Sequence, residues 1–142
     1  MKELKIYTDG ACSGNPGKGG YCAILIYNGK EKIVSGSELD TTNNRMELLA
    51  VIRGLQTLKV PCSVELFSDS QYVIDAFNKG WITNWQKNDW KTSSKTQVKN
   101  RDLWEELLRL LSIHLVRFVK VKGHSDNEYN NRCDQIAVSE YK

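Results

Sequence analysis

Two short runs decide the architecture: Lys5-Ile6-Tyr7-Thr8-Asp9-Gly10 and Leu66-Phe67-Ser68-Asp69-Ser70. Each is rich in β-formers, passes through a small hydroxyl residue to an aspartate, and then breaks. Neither aspartate serves to bury a core. Laid side by side and parallel, about 4.8 Å apart, the two strands present Asp9 and Asp69 at one sheet edge. Open α/β sheets bind ligands just beyond the carboxyl ends of their strands. Two carboxylates so placed repel unless a cation lies between them, so the pair points to a divalent metal.

The elements around these runs make the parallel pairing an expectation. Leu4, Ile6 and Thr8 alternate with Lys5, Tyr7 and Asp9; a Gly-rich loop follows over 13–20. Tyr21 to Tyr27 is an apolar strand, Asn28-Gly29 is a hairpin turn signal, and Glu31 to Leu39 returns. Thr41-Thr42-Asn43-Asn44 offers N-cap chemistry for a helix whose inner stripe is Met46, Leu49, Ile52 and Leu55, with Gly54 a weak spot in it. Ser63 to Ser68 is the next strand, and Ser70 caps a short helix holding Val73, Ile74 and Phe77. Asn78 to Asn100 breaks the pattern, polar and basic with Trp81, Trp85 and Trp90 spaced through it. A Leu103/Leu107/Leu111 helix, a strand from Leu115 to Val121 and a final helix carrying Cys133, Ile136 and Ala137 complete the chain. Hairpins make the first three strands antiparallel; the last two need helical crossovers and lie parallel to the first. The expected fold is α/β, a five-stranded mixed sheet flanked by helices, in a single domain over 1–142.

The 142 residues are 40% hydrophobic and 26% charged, ordinary for a soluble globular protein. No apolar run approaches the roughly 20 residues of a membrane span, and Met1-Lys2-Glu3-Leu4 leads into a strand without the features of a signal peptide. Cysteines at 12, 22, 62 and 133 show no C-x-x-C spacing, which argues against zinc and for reduced thiols in a cytoplasmic protein. The net charge of +3 is uneven: Lys79 to Arg101 holds six basic residues and one acid, while the rest of the chain holds 14 basic and 16 acidic residues. One segment, about 78–100, therefore carries the positive field.

Glu47, near the start of the first long helix, and Asp134, on the last, are further acids. Taken singly each reads as a solvated surface residue, and spacing alone does not bring them to Asp9 and Asp69. The motifs do more. Tyr7 to Gly17 (YTDGACSGNPG), Thr41 to Leu48 (TTNNRMEL), Ser68 to Val73 (SDSQYV), Gly80 to Trp85 (GWITNW), Val121 to His124 (VKGH) and Asn131 to Asp134 (NRCD) occur in order along the chain. The chain so resembles bacterial ribonuclease HI over essentially its whole length.

That resemblance implies that Asp9, Glu47, Asp69 and Asp134 are four metal-binding carboxylates. Hard oxygen donors favour Mg²⁺, for which Mn²⁺ can substitute, and two ions roughly 4 Å apart suit phosphodiester hydrolysis. The implied activity is endonucleolytic cleavage of the RNA strand of RNA–DNA hybrids, leaving 5′-phosphate and 3′-hydroxyl ends. His124 reads by itself as a surface loop histidine; the resemblance makes it a proton carrier, suited by its titration near neutral pH. Cys12, Asn15, Asn43, Asn44 and Gln71 match positions that line the hybrid's minor groove, where the 2′-hydroxyl marks RNA; the plainer reading of each Asn is turn or cap chemistry. Thr42 and Asn100 match a pocket for a DNA phosphate. Lys87, Lys91 and Lys95 match a basic protrusion along the DNA strand. Trp85 and Trp90 read best as a small local core, and Trp81 as a platform for a sugar. Asp40 departs from the family, which often has Arg there, and puts the strength of the phosphate pocket in question. The protein is expected to act as a monomer. Two other readings, a hybrid-binding protein without catalysis and a related DNA nuclease or integrase, are disfavoured by the four retained acids and by the Asn43-Asn44 pair with the basic segment, respectively.

Overall fold

The computed structural model describes residues 1–122 and 127–142. His124 therefore lies outside the described residues. Strands β1 (Lys2–Cys12), β2 (Gly17–Tyr27) and β3 (Lys30–Thr41) form the meander, followed by α1 (Asn43–Gln56), β4 (Cys62–Ser68) and α2 (Gln71–Asn78). Then come α3 (Trp81–Lys87), α4 (Arg101–Leu111), β5 (Leu115–Lys120) and α5 (Glu128–Ser139). The sheet order is β3-β2-β1-β4-β5. β1 runs antiparallel to β2 and parallel to β4, and β4 runs parallel to β5. This is the expected mixed sheet.

The layers follow from sequence period. β4 alternates buried and half-buried along its whole length, with Cys62, Val64 and Leu66 facing the main core. That core lies between the sheet and α1, whose Met46, Leu49, Ile52 and Leu55 are buried as the 3–4 spacing requires. Gly54 does not weaken this helix without return. A Cβ there would sit 3.1 Å from the Ala23 side chain and 3.2 Å from that of Ile6, so its absence lets α1 lie close on β1 and β2. The opposite face carries a smaller cluster in which Cys133 and Ala137 of α5 pack on Tyr7, Cys22 and Ile24. Cys22, Cys62 and Cys133 are buried, Cys12 is half-buried, and all four are free thiols.

The insert departs from a patternless segment. Its first part is α3, a seven-residue helix entered through Gly80 in the left-handed region (φ 71°). Ile82, Trp90 and Val98 are buried in the main core, and the tryptophans form a chain of rings: Trp81 to Trp85 at 6.2 Å, Trp85 to Trp90 at 6.3 Å and Trp85 to Trp104 at 5.6 Å. Trp85 and Trp90 therefore anchor the insert to the body, which agrees with their reading as a small local core. Among the described residues, no helix is long and apolar enough to cross a membrane.

Candidate active site

The register of β1 and β4 pairs Tyr7 with Phe67, so two residues further on Asp9 and Asp69 stand at the same edge. Of the hydroxyl residues before them, Thr8 ties β1 to β4 and Ser68 fixes the turn that follows β4. Thr8 Oγ1 donates to the Phe67 carbonyl (3.1 Å), and Ser68 Oγ accepts from the Ser70 amide (3.0 Å). Lys120 Nζ, from β5, donates to the Asp69 carbonyl (2.6 Å).

Glu47 joins the two aspartates because β1 and α1 touch through Gly10. A Cβ on Gly10 would lie 2.3 Å from the Glu47 nitrogen and 2.3 Å from the Met46 carbonyl carbon; only a hydrogen fits. The Gly10 amide donates to Asp9 Oδ1 (2.9 Å) and to Glu47 Oε1. One carboxylate oxygen from each of Asp9, Glu47 and Asp69 falls within 4.8 Å of the others. Asp134, delivered by α5 from the other face of the sheet, lines the same cleft of about 410 Å³ and adds its negative charge to the field at Asp9.

Crowding shows in the acidities. Burial raises Asp9 to about 7, with Asp69 and Asp134 adding repulsion. Burial, then the charges and hydrogen bond of its acidic neighbours, raise Glu47 well above its ordinary value. Without a cation the site favours holding protons on these buried acids. A divalent ion satisfies the same groups without protons, and the donor set is all hard oxygen. Asn130, one helical turn before Asp134, is 3% exposed and lines the cleft, and its Oδ1 has no partner among the described residues. An orphaned buried acceptor beside clustered carboxylates fits a cation or its hydration shell. Sequence reading missed Asn130; the i, i+4 spacing to Asp134 was its only signal, and a polar residue near a helix start is too common to single out.

The other expected residues flank this cleft. Cys12, Asn43, Asn44 and Gln71 line it. Asn15 lies beside it, and its Oδ1 accepts from the Asn43 amide (3.0 Å), fastening the Gly-rich loop to the start of α1. The cap of α1 is Thr42, whose Oγ1 accepts from the Arg45 amide (3.2 Å), which leaves Asn43 and Asn44 exposed as the first helical residues. Thr42 and Asn100 come together in an adjoining groove with Asn15 and Lys99. Asp40 is exposed and outside that lining. The nearby Arg45 is engaged by Glu38 (3.2 Å) and, through two nitrogens, by Asp102 (3.2 and 3.0 Å), so Lys99 is the lysine that borders the groove. Lys87, Lys91 and Lys95 are exposed on the insert and form no salt bridge among the described residues. Trp81 is half-buried with its ring against Trp85.

Comparison with known proteins agrees with this geometry. The RNase H family model matches residues 1–142. The chain is 63% identical over 142 residues to the ribonuclease H of Acetivibrio thermocellus, covering 100% of this chain and 97% of that one. It is 61% identical to that of Caldicellulosiruptor saccharolyticus, covering 100% and 98%. Among solved structures it is similar to LC9-RNase H1, described as a type 1 RNase H with the type 2 active-site motif, with TM-score 0.88 and 27% identity over 99% of this chain and 72% of that one. LC11-RNase H1 in complex with an RNA/DNA hybrid shares the fold at TM-score 0.72 and 22% identity, covering 97% and 96%. A family match along the full chain, relatives identical at three positions in five, and acids gathered at the carboxyl edge of a mixed sheet lead to one conclusion: this chain belongs to the RNase H family.

Proposed function

We propose that the protein is a Mg²⁺-dependent endonuclease that hydrolyses the RNA strand of RNA–DNA hybrids. The observation that carries this is the meeting of Asp9, Glu47 and Asp69 within 4.8 Å, with Asp134 lining the same cleft, in a chain of the RNase H family. These four carboxylates hold the metal, and Asn130 faces its surroundings. Two ions bound there supply activation of the attacking water and stabilisation of the leaving oxygen. Water adds to phosphorus and the bond to the 3′ oxygen breaks, which leaves a 5′-phosphate and a 3′-hydroxyl. Cys12, Asn15, Asn43, Asn44 and Gln71 read the minor groove, and their small polar groups beside the acids suit contact with a 2′-hydroxyl. Thr42, Asn100 and Lys99 receive a DNA phosphate in the adjoining groove. Lys87, Lys91 and Lys95 follow the DNA backbone, and Trp81 packs against a sugar. His124 carries a proton during turnover.

The test is cleavage of matched RNA–DNA, RNA–RNA and DNA–DNA duplexes with and without Mg²⁺, by the parent and by Asp69→Asn. Cutting of the hybrid's RNA strand alone, dependent on Mg²⁺ and lost in the variant, is the expected result. Binding without cleavage by the parent, or cleavage of the DNA duplex, would replace this reading by that of an inactive binder or a DNA nuclease.

A further inference from the structure

Tyr72 belongs to the run Ser68 to Val73 that supplies Asp69. It sits on α2 between the acidic cleft and the adjoining groove and lines both. Its ring packs on Trp104 with centroids 5.4 Å apart. Its hydroxyl oxygen accepts from Trp104 Nε1 (2.9 Å) and from Asn100 Nδ2 (3.3 Å). Asn100 stands at the N-cap of α4 in the left-handed region (φ 63°) and makes no capping bond with its side chain. Its Oδ1 accepts instead from Arg45 (3.4 Å). A guanidinium only donates, so the amide oxygen must face Arg45 and the amide nitrogen must face Tyr72. Arg45 is itself fixed by Glu38 and Asp102.

We infer that Tyr72 is a positioning residue for hybrid binding: its hydroxyl, clamped by buried Trp104, holds the Asn100 amide so that the second Nδ2 hydrogen is presented to a DNA phosphate in the groove. The inference rests on the phosphate role proposed for Asn100. It adds that this role depends on one hydroxyl group on a different helix, and that α2 therefore serves both the metal cleft, through the Asp69 edge, and the phosphate groove. Without this clamp the amide keeps only the longer bond from Arg45 (3.4 Å) and offers its donor only part of the time. Losing one such contact weakens binding roughly 2- to 12-fold.

The experiment compares parent, Tyr72→Phe, Asn100→Ala and the double variant. Affinity for a short RNA–DNA hybrid is measured in EDTA, where cleavage is silent, and kcat and KM in Mg²⁺. A second hybrid carries neutral methylphosphonate linkages through its DNA strand. Tyr72→Phe keeps the ring on Trp104 and removes only the hydroxyl. Expected are a fall in affinity for Tyr72→Phe comparable to that of Asn100→Ala, no further fall in the double variant, a rise in KM that far exceeds any fall in kcat, and equal affinities of all four proteins for the methylphosphonate hybrid. A merely structural tyrosine would lower thermal stability without this pattern. If Asn100→Ala weakens binding but Tyr72→Phe does not, or if the two losses add, the positioning role is wrong while the phosphate groove stands. If Asn100→Ala itself binds as the parent does, the groove assignment falls and the inference with it.

Discussion

Asp9→Asn is expected to stabilise the metal-free protein while destroying its activity. Asp9 is 5% exposed, and its native acidity lies near 7 against an ordinary value of 3.8. An acid whose folded pKa is raised holds its proton more tightly when folded. Its contribution is therefore most favourable below the unfolded value and is lost as pH rises through the folded one. Well above pH 7 the full difference counts, about 4 kcal/mol against the parent fold; near pH 4.5 only about 1 kcal/mol remains. Asparagine keeps the shape and the oxygen that accepts from the Gly10 amide (2.9 Å), but carries no charge to desolvate. It also removes a charge that raises Glu47, an effect of the same sign.

The assay is thermal or urea unfolding in EDTA at about pH 8.5 and about pH 4.5. At the higher pH the variant should melt roughly 10 °C above the parent, taking about 3 °C per kcal/mol for a chain of this size. At the lower pH most of that advantage should vanish. Added Mg²⁺ should then raise the parent's melting temperature and leave the variant's nearly unchanged, because only a ligand that binds the native state stabilises it. A variant no more stable than the parent at the higher pH would refute the reasoning. So would an advantage equal at both, since neutral packing gains do not titrate.

Three further outcomes are expected. Gly10→Ala forces a Cβ into the backbone of Met46 and Glu47, so it should cost about 1–3 kcal/mol of stability and weaken Mg²⁺ binding by displacing Glu47, read by unfolding and by metal titration. Neutralising Lys87, Lys91 and Lys95 together should lower the log–log salt slope of hybrid binding by roughly 0.9 per lost phosphate contact and leave Mg²⁺ titration as in the parent. His114 is buried and accepts from the Cys62 amide through Nδ1 (3.1 Å), and burial lowers its pKa. It should favour the fold above its unfolded value of about 6.5 and withdraw that support as pH falls, so in an Asp9→Asn/Glu47→Gln background, which removes the opposing titrations of both raised acids, stability should decline on acidification below pH about 6.5.

The two aspartates at the sheet edge were legible because a strand's period is two and the order of hairpins and crossovers leaves few ways to pair β1. The register adds what that order leaves open: it sets Tyr7 opposite Phe67, and the acids two residues on come with it. Glu47 was not legible in this way. Its place depends on how closely α1 lies on β1, which Gly10 and Gly54 decide by what they lack, and nothing in a helical stripe reports a distance to a strand. Asp134 depends on packing across the opposite face, where Cys133 and Ala137 seat α5. Motif resemblance named both residues; geometry explains their arrival. Helix α3 was hidden for another reason. Its seven residues expose most of their length, so the amphipathic signal is too short, and its tryptophans pack on one another and on Trp104.

The acids reach the cleft from three directions, and this decides how the site is kept. Asp9 and Asp69 come from strand ends, Glu47 from a helix on one face and Asp134 from a helix on the other. Mutual repulsion acts to drive α1 and α5 away from the sheet. Opposing it are the buried stripe of α1, the tie between Asn15 and Asn43 at its start (3.0 Å), and on α5 the paired contact of Arg132 with Glu31 (3.1 and 2.9 Å). The surface ion pair is worth little by itself. The apolar burial under each helix is worth far more, at about 25 cal/mol for each Å² removed from water. The sheet is thus the rigid element, and packing on both its faces holds carboxylates closer than their charges favour in the absence of metal. The stability surrendered when Asp9 and Glu47 ionise is what a divalent ion bound among them would return.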